Sequence, residues 1–236
     1  MRLSPITLVI LGAIAVLVAI GVTDQILPAS DPRTAELRPW VAARALGVTA
    51  YLLLFVDVAL GLILSHPRNT SEWRKTKQVF PWHEMFTVFI GAFLALHIVL
   101  LAIDPFANVG IVGALVPGFS TFRPVAVGIG TVALYALIFT AATAKWTRLL
   151  PAGWWLKVHR FAVVTFLMAW VHAVLAGSDG AALTPMYLAT GLPILAATAH
   201  RWWTARVRPQ RAIPAGAVDP THYHRPAPVA VPVKES

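Results

Sequence analysis

The 236-residue sequence contains no cysteine. That excludes disulfides, thiolate-held iron–sulfur clusters, cysteine zinc sites and covalent c-type haem attachment. Charge is also scarce, at 12% of residues, about half of what a soluble domain carries. Acidic residues are the rarest part of it, ten against nineteen Lys and Arg. No nucleotide-binding glycine fingerprint and no internal repeat of a soluble type appears.

Apolar residues fill the space, at 58% of the chain and a mean hydropathy of +0.71. They gather in six stretches, about 6–22, 46–65, 80–103, 124–144, 154–176 and 182–200. A membrane-spanning helix needs about 20 mostly apolar residues, and each stretch is near that length. The first follows Arg2 without a small-residue cleavage signal before Asp24, so it reads as a retained anchor rather than a signal peptide. Prolines and glycines punctuate the connections at Pro28, Pro32, Pro39, Pro67, Pro117 and Gly118, and Pro124 opens the fourth stretch, where its missing N–H costs nothing. The expected fold is all-α, an integral membrane six-helix bundle over residues 1–200. A basic, Pro-rich, disordered cytoplasmic tail over 201–236 follows.

Orientation follows from the basic residues. Fifteen of the nineteen fall on one side, among them Arg68, Arg74, Lys75, Lys77, Lys145, Arg148, Lys157 and Arg160. Only Arg33, Arg38, Arg44 and Arg123 fall on the other. The expectation is a multi-pass protein of the cell membrane with both termini cytoplasmic. The net charge of +9 is then loop bias facing membrane lipid, and needs no nucleic-acid partner.

Four of the eight histidines sit inside two stretches, where ionisable groups are costly and mark function. His83 and His97 lie in the third, fourteen residues apart; His159 and His172 lie in the fifth, thirteen apart. At 1.5 Å per residue each pair spans about 20 Å along the bilayer normal. One span separates the two stretches, so they run parallel. His83 and His159 then share the cytoplasmic level, and His97 and His172 the outer level. Two imidazoles at one depth on facing helices are a ligand pair for a haem iron, and two levels stack two haems between helices three and five. Bis-imidazole ligation leaves no open iron site, which favours electron transfer. Zinc would want three or four ligands close together, and these are spread too far. One strain is visible. Fourteen helical steps return to within about 40° of the same face, but thirteen leave about 140°. The fifth helix must be tightened or tilted, or His159 must sit in an irregular first turn.

The segments WVAARALGVTAYLLL (40–54), ALHIVLL (95–101), VPGFSTFRPVAVGIGTVALYAL (116–137), WWLKVHRFAVV (154–164) and WVHAVLAGSD (170–179) resemble the ferric reductase-like transmembrane domain family. That family includes the haem-binding membrane subunit of the periplasmic methionine sulfoxide reductase system and the membrane half of NADPH oxidases. The resemblance covers most of residues 40–180. It implies a six-helix bundle with b-type haems on His83 with His159 and on His97 with His172. Full-length oxidases and reductases of this type append flavin and nicotinamide domains. About 36 residues follow the sixth stretch here, too few for one. The expected donor is therefore separate: a quinone, a flavin such as FMN bound to the membrane part, or a partner reductase. Expected acceptors lie on the outer face, as ferric chelates, an extracytoplasmic oxidoreductase or an FMN-binding partner.

Other polar residues carry graded readings. Arg44 and Arg123 sit near the outer ends of their stretches, where a guanidinium fork matches a haem propionate or anchors at the interface. Arg160, with Lys157 and Arg74, is the corresponding candidate at the inner level. Glu84 adjoins His83, and Asp57 lies deep in the second stretch, where a carboxyl is expensive unless paired. Phe166 lies midway between His159 and His172. His66 and His200 read as interfacial, Asp179 as an outer-loop residue, and His222 with His224 as part of a solvated tail. Two alternatives stand beside the ferric reductase-like reading: a quinol-linked cytochrome of the b561 type, and a proton-coupled transporter using Asp57 and Glu84.

Overall fold

The computed structural model describes residues 32–66, 73–151, 154–177 and 180–207, with Ile10, Ile14 and Gly21 besides. Among them every regular element is a helix: α1 (Pro32–Leu64), α2 (Trp73–Ile103), α3 (Gly110–Leu115), α4 (Pro124–Lys145), α5 (Trp155–His159), α6 (Ala162–Ala176) and α7 (Gly180–Val207). A short 3-10 turn, Thr147–Leu149, follows α4. The apolar stretch 6–22, the loop residue Asp179 and the tail beyond Val207 lie outside the described residues.

Five segments are long and apolar enough to cross a membrane: Ala35–Leu64, Val79–Ile103, Pro124–Lys145, Trp155–Ala176 and Ala181–Val207. They are apolar around most of their circumference, as expected where one face meets lipid and the other meets protein. The chain is thus a multi-pass membrane protein. The first of these helices is the most buried and the second the least. α1 and α2 pack along their lengths as an antiparallel pair, α4 and α6 form a second pair, and α1 also touches α6 and α7. The helices overrun the apolar stretches. α1 begins at Pro32 rather than near 46, and α7 continues past 200 to Val207. There Arg201, buried, donates from Nε to the carbonyl and hydroxyl of Ser65, both at 3.2 Å.

The middle of the bundle is a closed aromatic block. Phe166 is fully buried and stacks on Tyr51 with ring centroids 5.7 Å apart at 17°. Tyr51 shares a hydrogen bond with the Thr190 hydroxyl on α7, and Phe55 tilts against Phe166 from α1. Burying three large rings here removes apolar area from water or lipid at a gain of order 25 cal/mol per Å² where water is displaced. At one end α3 and the loops beside it cover the bundle, with Trp40 against Phe106 and Phe122 at 5.7 and 5.3 Å. The loop fits tightly: a Cβ on Gly113 would lie 2.9 Å from Ser120 Cα, and Gly118 has φ +85°. At the opposite end Trp82, Trp146, Trp154, Trp202 and Trp203 are exposed. This is a belt of the kind that amphipathic rings form at a membrane interface.

The 22 residues of α4 span about 33 Å, enough to separate the Phe119 loop from the Leu149 turn by a bilayer. Since the chain has no cysteine of its own, Phe119→Cys and Leu149→Cys give clean single-thiol proteins. A membrane-impermeant maleimide should label one from outside intact cells and the other only after permeabilisation. Labelling of both from the same side would remove α4 as a crossing.

Candidate functional site

The four intramembrane histidines occupy two levels of the bundle. His83 and His159 come together, with ring centroids 5.8 Å apart and planes at 84°. His97 and His172 enter one cavity, which is otherwise mostly apolar and is lined from α1, α2, α4, α6 and α7. His83 and His97 are on α2, His159 ends α5 and His172 is on α6; α2 leans on α1, whereas α5 leans on α4 and α6 mainly on α4. The rings therefore reach toward each other across a gap that no helix fills.

The same local device holds three of the rings. His97 donates from Nδ1 to the carbonyl of Ala43 at 2.6 Å and lies over Gly47, four residues on. His172 donates from Nδ1 to the carbonyl of Ala126 at 2.7 Å and lies over Gly130, again four residues on. His83 bonds to the carbonyl of Asp57 at 3.2 Å, and its Cε1 faces Gly61, four residues on. In a helix, residues i and i+4 stack on one face. A glycine at i+4 opens a flat patch beside the carbonyl of residue i, and an imidazole can settle on it. The fit is close. A Cβ on Gly47 would lie 2.8 Å from His97 Nδ1, and one on Gly130 only 2.5 Å from His172 Nδ1. The two patches of α1 are fourteen residues apart, as are the two histidines of α2 that use them.

These contacts decide the tautomer. A carbonyl or carboxylate oxygen only accepts, so the nitrogen facing it must carry the proton. Nδ1 is protonated in His83, His97 and His172, and Nε2 keeps its lone pair. That is the form in which histidine binds a metal, with the second nitrogen held by a backbone or carboxylate oxygen. His159 differs: its Nδ1 is buried with no hydrogen-bond partner.

His159 also sits where the thirteen-residue spacing required an irregularity. The α5 helix ends at His159 and α6 begins at Ala162. Between them Phe161 N bonds to the carbonyl of Val158, and Val163 N to that of Arg160, both across three residues rather than four. Such tightened steps turn about 120° instead of 100°, and each recovers about 20° of the mismatch.

The charged residues fall as follows. Arg44 lines the cavity of His97 and His172 and rests over the Trp40 ring at 5.7 Å. Arg123, in a left-handed conformation before α4, gives one terminal nitrogen to the carbonyls of Leu175 and Gly177 at 2.6 and 3.1 Å. It thereby caps the C-terminal end of α6. Arg160 is exposed at the α5–α6 break, and Glu84 is exposed on α2. Asp57 is the buried acid: its Oδ1 lies 2.7 Å from His83 Nδ1, and Thr87 donates to its Oδ2 at 3.5 Å. His66 and His200, which sequence gave no reason to join, stack at 5.4 Å with Nε2 and Nδ1 3.4 Å apart. No cluster of three or more His, Asp or Glu suited to a metal ion occurs among the described residues.

No family model, curated protein or solved structure matches the chain. The class that fold and site define is a helical multi-pass membrane protein with half-buried imidazoles at two levels, three of the four fixed in one tautomer.

The glycine patches give a discriminating test. Gly130→Ala and Gly47→Ala force a methyl into an imidazole, and overpacking of this kind costs about 1–3 kcal/mol. At Gly61 the nearest atom of His83 would stand 3.5 Å from the new methyl, an ordinary contact, and helix propensity favours alanine by up to about 1 kcal/mol. Thermal denaturation of the purified protein should rank Gly61→Ala at or above the parent and the other two well below it. Equal loss in all three would remove the patches as ring seats.

Proposed function

We propose that this chain is a transmembrane b-type cytochrome, a six-span bundle that moves electrons from a cytoplasmic-side donor to an acceptor on the outer face. The carrying observation is the repeated seat: a protonated Nδ1 on a backbone carbonyl, a glycine beneath the ring, and an Nε2 left for a metal. A purely structural histidine has no need of this arrangement three times over. The resemblance of residues 40–180 to the ferric reductase-like family supports the same reading, as does the 15-to-4 division of basic residues.

The donor set fits haem. Two imidazoles on one iron, each bonded at about 2 Å, place their ring centroids roughly 6 Å apart, close to the 5.8 Å between His83 and His159. The His97–His172 cavity is apolar in its depth and has the Arg44 cation among its lining residues, as a macrocycle with carboxylate substituents would require. In this reading His83 and His159 hold the inner haem, and His97 and His172 the outer one. A bound haem supplies one-electron chemistry; the protein supplies ligands, orientation and a dry surround. His83, His97 and His172 are held for ligation before any iron arrives, since their Nδ1 protons are already committed. Tyr51 and Phe166 fill the space between the levels and keep water out of it. Arg44 would be placed to pair with a carboxylate substituent of the outer haem. Arg123 keeps the outer end of α6, and with it His172, in place. Donors of suitable chemistry are a quinone, a flavin such as FMN or a partner reductase. The acceptor is a ferric chelate, an FMN-binding partner or an oxidoreductase beyond the membrane.

Haem content by pyridine haemochrome tests the pairing. The purified protein should carry two haems per chain. His83→Ala and His159→Ala should each lose one, His97→Ala and His172→Ala the other, and each double variant across one level should lose no more than its singles. Material without a Soret band after haem supplementation would overturn the reading and favour the transporter alternative built on Asp57.

A further inference from the structure

The two levels differ in one respect that the histidine pairing does not require. At the outer level both fixed imidazoles face neutral oxygens, the carbonyls of Ala43 and Ala126. At the inner level His83 faces the Asp57 carbonyl at 3.2 Å and also the Asp57 carboxylate, with Oδ1 2.7 Å from Nδ1. That carboxylate is 7% exposed and lies inside the span. Asp57 and Arg44 are both on α1, thirteen residues apart, or about 20 Å along the axis. One helix thus presents an anion to the inner pair and a cation to the cavity of the outer pair.

Resting on the haem reading above, we infer that Asp57 tunes the inner site to a lower reduction potential than the outer site, so that α1 biases electron flow outward. The Asp57 carboxylate lies 2.7 Å from Nδ1 although the ring N–H is given to the Asp57 carbonyl; its charge at that distance stabilises the Nδ1 proton and makes the imidazole a stronger electron donor. A stronger donor, and a buried negative charge nearby, both favour the more positive oxidation state of the iron. At the outer level a carbonyl dipole does less of this, and the Arg44 charge acts in the opposite sense. Thr87 shares its one hydroxyl proton between the His83 carbonyl at 3.1 Å and the far carboxylate oxygen at 3.5 Å, which holds Asp57 in register and moderates its donor-strengthening effect. Asp57 is a positioning and tuning residue here, since its contact is with the ligand and not with the iron.

The test is spectroelectrochemical titration of the haem-loaded full chain, with His97→Ala used as a background that isolates the inner haem. Asp57→Asn keeps the shape and the backbone carbonyl and removes the charge. It should raise the inner reduction equilibrium constant at least tenfold, about 59 mV for one electron, and leave the outer step unmoved. Asp57→Glu should restore a potential near the parent value. Thr87→Val, which removes a donor from the carboxylate, should shift the inner step at least twofold the other way, and it decides the matter if the Asn protein fails to hold its inner haem. Normal haem content with an unchanged inner potential in Asp57→Asn, or in Thr87→Val where that variant decides, overturns this inference and leaves the cytochrome intact. Absence of haem from the parent protein overturns the cytochrome first and this inference with it.

Discussion

A buried imidazole in a lipid-facing bundle must place its N–H on something, and that constraint organises this structure. No water is available at membrane depth, and an unpaired polar group there costs several kcal/mol. Side-chain acceptors are few in a chain with ten acidic residues. The remaining acceptors are backbone carbonyls, but in a helix these are already engaged with the amide four residues on. A carbonyl has two lone pairs, so it can take a second donor if the side chain above it is small enough. Ala43 with Gly47 and Ala126 with Gly130 meet that condition. The helix pairing follows from it: α2 must lie on α1, and α6 on α4, for the rings to reach their seats. Because α2 and α6 are each drawn to a different partner, the space between them stays open at the level of the imidazoles.

The sequence carried the histidine levels plainly, because charge and imidazole are rare in apolar stretches and their spacing converts directly into depth. It also carried the flaw in the fifth stretch, since thirteen steps cannot face one way on a regular helix; the break between His159 and Ala162 is the physical answer. The seats were not legible. Alanine and glycine are common throughout membrane helices, and a glycine four residues after an alanine has no meaning until a ring lies on it. The fourteen-residue recurrence on α1 could have been noticed only by asking what stands opposite each histidine. Charged residues were legible only in part, for a related reason. Position along a stretch gave the depth of Glu84 and Arg123 but not their azimuth. Glu84 turned outward, and Arg123 found carbonyls at the end of α6. Asp57, which sequence could describe only as a carboxyl in need of a partner, has His83.

Helix limits were legible only in their apolar parts. The first described helix begins at Pro32 because residues up to Trp40 continue the helix beyond the hydrocarbon, where hydropathy carries no signal. The last runs to Val207 because Arg201 has an acceptor in Ser65, so a buried guanidinium does not end it.

The asymmetry between the levels bears on why two sites would be useful at all. Two identical imidazole pairs about 20 Å apart would exchange electrons with no preferred direction, and any bias would rest on the donor and acceptor alone. Fixed charges on a single rigid helix change this without altering a ligand. In the proposed cytochrome an anion beside one imidazole and a cation beside the other cavity would act on the two sites in opposite senses, with burial limiting the screening of each. α1 supplies two of the three glycine seats as well as both charges, and it is the most buried of the spanning helices. If the histidines ligate haem as proposed, a helix that contributes no ligand would determine how they are held and how strongly each donates, and substitutions on α1 should be more informative about direction than substitutions of the histidines themselves.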